Sequence, residues 1–330
     1  MCIFIGIDIS AKTFDVVTRN QGKPNKPSSF EQSFEGHEKC IQQLKKLKPK
    51  LIVMEATGIY HLDLAIAIYD AGLPVSVINP ASFKQFAALM LTQSKTDGID
   101  AGLLAEFAER MKPRLWIAPT KNCIYLKDLG RQIQRLTRDS AKAKNRLHAF
   151  KSKRTTTPLL IEDIEDSIAH YTLRIGKLTN AALDLIQDDP NLNTHFSNMQ
   201  KAKGIGQASA ISILAEFVVL SNDMKAKQVS RHAGLDVKLH QSGSSVNGAS
   251  RISKAGNAYL RSALFMPAMS AVRHDENVKA FKEALVRRGK KKIQENFAVM
   301  RKYLTGLWAV YQTGIAFDST KLFSDVHKKA

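Results

Sequence analysis

Four acidic residues stand where their surroundings make a carboxylate costly. Asp8 follows Ile3-Phe4-Ile5-Gly6-Ile7, a run apolar on both faces and so expected as a central strand. Glu55 follows Leu51-Ile52-Val53-Met54, just before Ala56-Thr57-Gly58. Strand ends are where α/β sheets place their sites. Asp97 and Asp100 come next, in Lys95-Thr96-Asp97-Gly98-Ile99-Asp100, at the start of a helix running through Ala101 to Arg110. Their spacing puts both on one helical face. Taken singly, Asp8 could open a turn, Glu55 pair with a lysine and Asp97 cap its helix. Brought together, the four repel one another, and the simplest compensation is one or two hard divalent cations such as Mg²⁺, which takes oxygen ligands. A pair of such ions activates one oxygen and stabilises another in an in-line displacement at phosphorus.

The chain that carries these acids is strongly basic. Its 330 residues hold 49 Lys and Arg against 30 Asp and Glu, a formal charge of +19, and its pI is near 9.8. Such an excess most commonly neutralises phosphates, so nucleic acid is favoured over a merely solvated basic surface. With 44% hydrophobic and 24% charged residues the composition is that of a globular protein. No apolar run is long enough to span a bilayer, which argues against a membrane partner. Met1 to Ile9 lacks a basic leader and a cleavage site and contains Asp8, so it reads as a strand rather than a signal. Cys2, Cys40 and Cys123 are odd in number and widely spaced, which indicates neither a disulfide framework nor a zinc site and fits a reducing cytoplasm.

Three segments must position the acids and the cations. Over residues 1–120, strand-like runs (Cys2 to Ile9, Thr13 to Thr18, Leu51 to Met54, Pro74 to Ile78) alternate with helical ones (Gly36 to Leu47, Leu62 to Ala71). This predicts an α/β domain of ribonuclease H-like layout, a mixed sheet with helices on both faces. Residues 121–190 predict an antiparallel helical pair. Its first helix, Lys121 to Arg154, spaces Leu129, Ile133, Leu136, Ala143, Leu147 and Phe150 as a buried seam and sets Arg131, Arg135, Arg138, Lys142 and Arg146 in an offset stripe. Its partner, from Pro158 to about Ile186, carries Glu162, Asp163, Glu165 and Asp166. The segment Lys121 to Arg154 holds eleven Lys or Arg against two Asp, more than those acids neutralise, so the stripe is assigned to phosphate. Residues 191–330 predict a mainly α domain. Gly204-Ile205-Gly206 before the apolar helix Ala208 to Leu220 looks like a helix-hairpin-helix, whose glycine turn offers backbone N–H groups to a phosphate; a plain turn between packed helices is the alternative. The Ser/Gly-rich stretch Gln241 to Ser253 precedes helices at Ala255 to His274, Val278 to Arg287 and Ile293 to Thr313. Arg287-Arg288-Gly289-Lys290-Lys291-Lys292 forms a basic turn suited to nucleic acid or to solvent.

Gly6-Ile7-Asp8, Met54-Glu55-Ala56-Thr57-Gly58, Val77-Ile78-Asn79-Pro80 and Lys95-Thr96-Asp97 with Asp100 resemble the DEDD transposases of bacterial insertion sequences, the family that also contains the Piv-type DNA invertases. Gly204-Ile205-Gly206, Ala233-Gly234-Leu235, Gln241-Ser242-Gly243-Ser244-Ser245 and Gly248-Ala249-Ser250-Arg251-Ile252-Ser253-Lys254-Ala255-Gly256 look like that family's second domain. The resemblance runs from Ile5 to about Asp318. It implies a RuvC-like N-terminal domain and a recombinase that cuts and rejoins donor and target double-stranded DNA, guided by a structured non-coding bridge RNA. It also implies that the four acids hold Mg²⁺, that Ser242 attacks DNA to give a phosphoserine link, and that protomers form a homotetramer in which acids of one meet the serine of another. Such an enzyme would work in the cytoplasm, at the nucleoid. The chain has Asn247 where close relatives carry Arg, a departure at one phosphate or RNA contact.

From the residues alone, Ser244, Ser245 and Ser250 match Ser242 as nucleophiles, and a flexible linker is the plain reading of the stretch. A serine hydroxyl needs a base or a metal, and only His240 lies beside Ser242, so metal assistance is favoured. Arg251 and Lys254 suit phosphate, or a solvated rim. A hydrolytic ribonuclease H-like nuclease, such as a junction resolvase, would use the same acids with water. A sugar kinase or actin-like ATPase would need glycines that wrap phosphates, and Ser10-Ala11-Lys12-Thr13 has none. A nucleic-acid scaffold would have no use for four acids.

Overall fold

The computed structural model describes residues 2–90, 97–242 and 246–323, with their side chains except at 97, 239–242 and 246–250. The chain divides into two compact units, Met1–Ala118 and Pro119–Ala330.

The first unit is built from β1 (Ile3–Ile9), β2 (Thr13–Asn20), β3 (Lys23–Pro24), β4 (Ser28–Glu31), α1 (Phe34–Leu47), β5 (Leu51–Glu55), α2 (His61–Asp70), β6 (Val75–Ile78), α3 (Pro80–Leu89) and α4 (Asp97–Met111). The sheet runs β3-β2-β1-β5-β6, with β4 also paired to β2. β1 is antiparallel to β2 and parallel to β5, and β5 is parallel to β6. β1 is thus central, as its two-sided apolar run predicts. Ile5, Ile7, Ile52 and Met54 bury one face against Cys40 and Leu44 of α1 and Leu64 and Ile68 of α2. Phe4, Leu51 and Val53 bury the other against Phe83 and Phe86 of α3 and Leu103, Leu104 and Phe107 of α4. A mixed sheet covered on both faces by helices is the ribonuclease H-like layout.

Local chemistry sets the element ends. The Ser33 side chain accepts from the Gly36 amide to start α1, and Asn79 accepts from the Ala81 amide with Pro80 in the first turn of α3. The Asn79-Pro80 motif is therefore a helix start. Gly6 decides where α4 lies, because a Cβ there would stand 2.1 Å from the Ala101 carbonyl oxygen and 2.3 Å from the Ala105 amide nitrogen. Only glycine lets the helix backbone rest on the strand.

The second unit comprises α5 (Lys121–Lys151), α6 (Pro158–Asp188), α7 (Pro190–Gln200), α8 (Gln207–Phe217), α9 (Ala226–His232), β7 (Val237–Ser242), β8 (Val246–Ile252), α10 (Ala258–His274), α11 (Glu276–Arg287), α12 (Lys292–Thr313) and α13 (Ser319–Leu322). α5 and α6 run antiparallel: Lys151 pairs with Glu165 at one end, and Asn122 donates to Asp189 at the other. The base of the pair is not a free-standing arm. Leu126, Ile133, Ala182 and Ile186 belong to one core with Ile211 and Leu214 of α8, Leu260 and Leu264 of α10 and Leu304 and Trp308 of α12. The Ser/Gly-rich stretch from Gln241 to Ser253, for which a flexible linker is the plain reading of the residues alone, supplies much of the antiparallel hairpin β7-β8.

Placing α4 on Gly6 has a measurable consequence. Gly6→Ala should destabilise the first unit by about 3 kcal/mol in urea unfolding, because the new methyl meets backbone on both sides. Gly102→Ala, in the same helix but with nothing within 4 Å of the added carbon, should lie within about 1 kcal/mol of wild type and on the stabilising side.

Candidate functional site

Asp8 and Glu55 share one sheet face. Phe4 points toward α4, so by strand alternation Gly6 and Asp8 point the same way, and Val53 and Glu55 do likewise on β5. Ile7 pairs with Met54, so Asp8 and Glu55 occupy the next row of adjacent parallel strands. α4 runs antiparallel to β1. Its residues Ala101 and Ala105 lie over Gly6, while Glu106 and Glu109 further along pair with Arg19, which sits opposite Phe4. The first turn of α4, with Asp100, therefore lies toward the Asp8 and Glu55 end of the strands. The Asp97 side chain lies outside the described residues. Glu55 accepts from the Thr57 hydroxyl at 3.4 Å.

A further carboxylate was missed in the sequence. Asp15 pairs with Asp8 across β1 and β2, and because Phe14 and Val16 join the opposite core, Asp15 faces the same way as Asp8. Among the described residues no three His, Cys, Asp or Glu side chains stand close enough to hold an ion by themselves. What the structure brings together is Asp8, Asp15 and Glu55 in one row, with the helix start of Asp97 and Asp100 beyond. The donors are carboxylate oxygens, which fit a hard divalent cation such as Mg²⁺, and like charges on neighbouring strands are relieved by one. The turn between β1 and β2 is closed on itself, with the Ser10 amide and hydroxyl both donating to the Thr13 carbonyl at 2.9 and 2.7 Å. It offers no phosphate loop, which disfavours the kinase reading.

Ser242 is the last paired residue of β7, opposite Val246; its side chain lies outside the described residues, as do residues 243–245. The hairpin is anchored at its base. Ser253 donates to Asp236 through both its amide and its hydroxyl, and Gly234 and Gly256 pack against neighbouring backbone that a Cβ would strike. Arg251, on β8 opposite Lys238, and Lys254, just past it, are exposed. The Asn247 side chain is not described.

The basic stripe of α5 divides into two parts. Arg131 is held by Glu216 of α8 in a fork of two hydrogen bonds, Nε to Oε1 at 2.7 Å and Nη2 to Oε2 at 2.9 Å. Glu216 is 1% exposed and also accepts from Asn257. Burial opposes its charge, but the hydrogen bond and charge of Arg131, with Asn257 and Lys127, outweigh this and hold its pKa below the ordinary value. His232 next to it is kept neutral-leaning, first by burial. Arg131 is thus engaged inside the protein. Arg135 and Arg138 are exposed, and with Arg131 their guanidinium groups surround the Tyr259 ring at 5.8, 5.1 and 4.8 Å from its centre. Lys142 pairs with Asp139 at 3.1 Å, and among the described residues neither Arg138 nor Arg146 has an ion-pair partner. The acids of α6 take up one cation of α5, Lys151.

Gly204 and Gly206 differ in kind. Gly204 has φ +87 and packs against α10, where a Cβ would be 2.5 Å from the Pro267 carbonyl oxygen, whereas a Cβ at Gly206 meets nothing. Gly206 caps α8 with no side-chain bond to its first amides, so the turn between α7 and α8 has one glycine for packing and one at an open helix start. A signal for the Arg131 fork existed in the sequence: Glu216 is a lone acid inside the apolar run of α8, which is costly without a cation.

A DEDD transposase family model of the IS110 type, described as transposase, matches residues 5–150, and one described as the IS116/IS110/IS902 transposase family matches residues 197–283. The pilin gene-inverting proteins of Moraxella lacunata and Moraxella bovis are each 32% identical over 320 residues, 96% of this chain and 97% of theirs. Two solved Thermus thermophilus RuvC chains, one in complex with a Holliday junction substrate, show a slight likeness. They match 34% of this chain and 96% and 98% of their own, at TM-scores of 0.26 and 0.27 and 15% and 17% identity.

The two parts of the α5 stripe should behave differently. Arg131→Met strands a buried carboxylate and should cost about 3–5 kcal/mol in urea unfolding, with no change in the slope of log affinity against log salt for duplex DNA. Replacing Arg138, Lys142 and Arg146 together by Gln should flatten that slope by about two to three units and leave stability nearly unchanged. Because the folded pKa of Glu216 is lowered from 4.5, its contribution is complete above that pH and is lost as pH falls through the lower value. Acid unfolding of Glu216→Gln should lack this component.

Proposed function

Since the chain belongs to the DEDD transposases of the IS116/IS110/IS902 type, and is a DNA recombinase, we propose that it cuts and rejoins donor and target DNA by serine attack under RNA guidance. The observation that supports this is the placement of Asp8 and Glu55 in neighbouring positions near the carboxyl ends of adjacent parallel strands, with the α4 start toward them. Bound there, Mg²⁺ would supply Lewis acidity toward a phosphodiester oxygen. Asp8, Glu55, Asp97 and Asp100 would hold it, and their arrangement before DNA arrives would be fixed by Gly6. Ser242 Oγ gives up its proton as it bonds to phosphorus, the bond from phosphorus to one sugar oxygen breaks, and the departing oxygen takes up a proton, so that the hydroxyl lost by serine is regained on the sugar. The phosphoserine so formed conserves the bond energy for rejoining, which hydrolysis would discard.

The acids and the serine belong to different compact units, and we assign them to one active centre only across protomers of an oligomer, a tetramer by analogy with the family. Such a division withholds cleavage until assembly is complete. The structured RNA would choose the sites, and the exposed cations of α5, Arg251, Lys254 and the open α8 start at Gly206 would contact backbone phosphates, which carry no sequence information.

The test is denaturing electrophoresis of labelled DNA after incubation with Mg²⁺ and RNA. Wild type should form a protein–DNA adduct that Ser242→Ala loses, with rejoining reduced by roughly a thousandfold or more. Cleavage by Ser242→Ala at the wild-type rate would instead indicate a water-using nuclease. Asp8→Ala, Glu55→Ala, Asp97→Ala and Asp100→Ala should each abolish cleavage while retaining DNA binding. Mixtures of Asp8→Ala with Ser242→Ala should recover part of the activity; co-assembly without recovery overturns the shared centre.

A further inference from the structure

On the sheet face opposite the acids, α1 and α2 leave a groove of about 520 Å³ whose lining is unlike the rest of this chain. Phe34 and Ile59 are 75% and 79% exposed and Tyr60 is 45% exposed, and beside them stand Glu38, Asp63 and Asp70. Among the described residues no Lys or Arg lines it, in a protein that has 49 of them. Among the described residues none of the three carboxylates has an ion-pair partner. DNA and RNA are repelled by such a surface, and its exposed aromatic and aliphatic side chains suit a protein segment that is both apolar and cationic.

The second unit carries such a segment. Between α11 and α12, Arg287, Arg288, Lys290, Lys291 and Lys292 gather around Gly289, whose φ of +68 makes the tight turn. Val286 and Ile293 flank it, 53% and 54% exposed. Cations between two exposed aliphatic side chains are the complement of carboxylates between exposed Phe34 and Ile59.

We propose that the α11–α12 turn of one copy docks in the α1–α2 groove of a second copy, with Val286 and Ile293 against Phe34, Ile59 and Tyr60 and the basic residues against Glu38, Asp63 and Asp70. Two such contacts made reciprocally close a dimer. This rests on the oligomeric reading above but specifies a surface remote from the carboxylates of the cutting site, and it withdraws the basic turn from DNA.

The experiment uses full-length protein without nucleic acid and follows self-association by sedimentation velocity at about physiological salt. A groove reversal (Glu38→Lys, Asp63→Lys, Asp70→Lys) and a turn reversal (Arg288→Glu, Lys290→Glu, Lys291→Glu) should each weaken self-association at least tenfold. An equimolar mixture of the two should restore it, since each then offers the other a complementary pair. Circular dichroism checks folding; if a reversal unfolds the chain, the milder Glu38→Gln, Asp63→Asn, Asp70→Asn variant replaces it, with the same direction of effect. Unchanged association in folded variants overturns the proposal. So does loss without rescue on mixing, the result expected if groove and turn meet within one chain or the groove takes a different partner. Because the readout needs neither DNA nor metal, failure here leaves the adduct experiment free to succeed or fail by itself.

Discussion

The first unit depends on one close approach, the backbone of α4 lying on the backbone of β1 at Gly6. Any larger residue would lift the helix by the width of a methyl group. With the helix seated, Arg19 on β2 reaches Glu109 at 2.6 Å and Glu106 at 3.5 Å, which fixes its direction. The start of α4, which carries Asp100, then lies toward the strand ends that carry Asp8 and Glu55. The positive end of the helix dipole favours the negative charge gathered there. Packing therefore does the positioning, and the acids need not attract one another, which they could not do.

A buried ion pair plays the corresponding part in the second unit. Glu216 lies in the core of α8, and Arg131 and Asn257 reach it from α5 and from the start of α10. Breaking it would expose the core to an unpaired charge. The same contact brings Arg131 beside Tyr259, so that Arg135 and Arg138 gather around one ring. Asn257 also joins His232 at the end of α9, and α9 and α10 bracket the serine hairpin. The long helix and the hairpin thus share a polar anchor.

The parts legible in the sequence were those with a strong period or a high cost. β1 and β5 show as apolar runs, α5 and α6 as long amphipathic repeats, and Asp8 and Glu55 as acids at the ends of buried strands. Ser242 was distinguishable from its neighbouring serines only through the resemblance. From the residues alone, without the resemblance, the β7-β8 stretch reads as a linker, because Gly and Asn are poor strand formers. Asp15 looked like an ordinary polar position of an alternating strand, and its nearness to Asp8 follows from the hairpin register. Arg131 looked like its neighbours on the stripe because its partner lies 85 residues further on. Pairings at such separations leave no local periodicity to read.

If α4 delivers Asp97 and Asp100 to the strand acids, helix and strands bind a divalent ion together. Calorimetric titration of the full-length protein with Mn²⁺ should show binding that Asp8→Asn, Asp97→Asn and Asp100→Asn each weaken at least tenfold while the fold is retained. If Asp8→Asn alone loses the ion and both helix variants bind it as wild type does, the helix start is not part of the site.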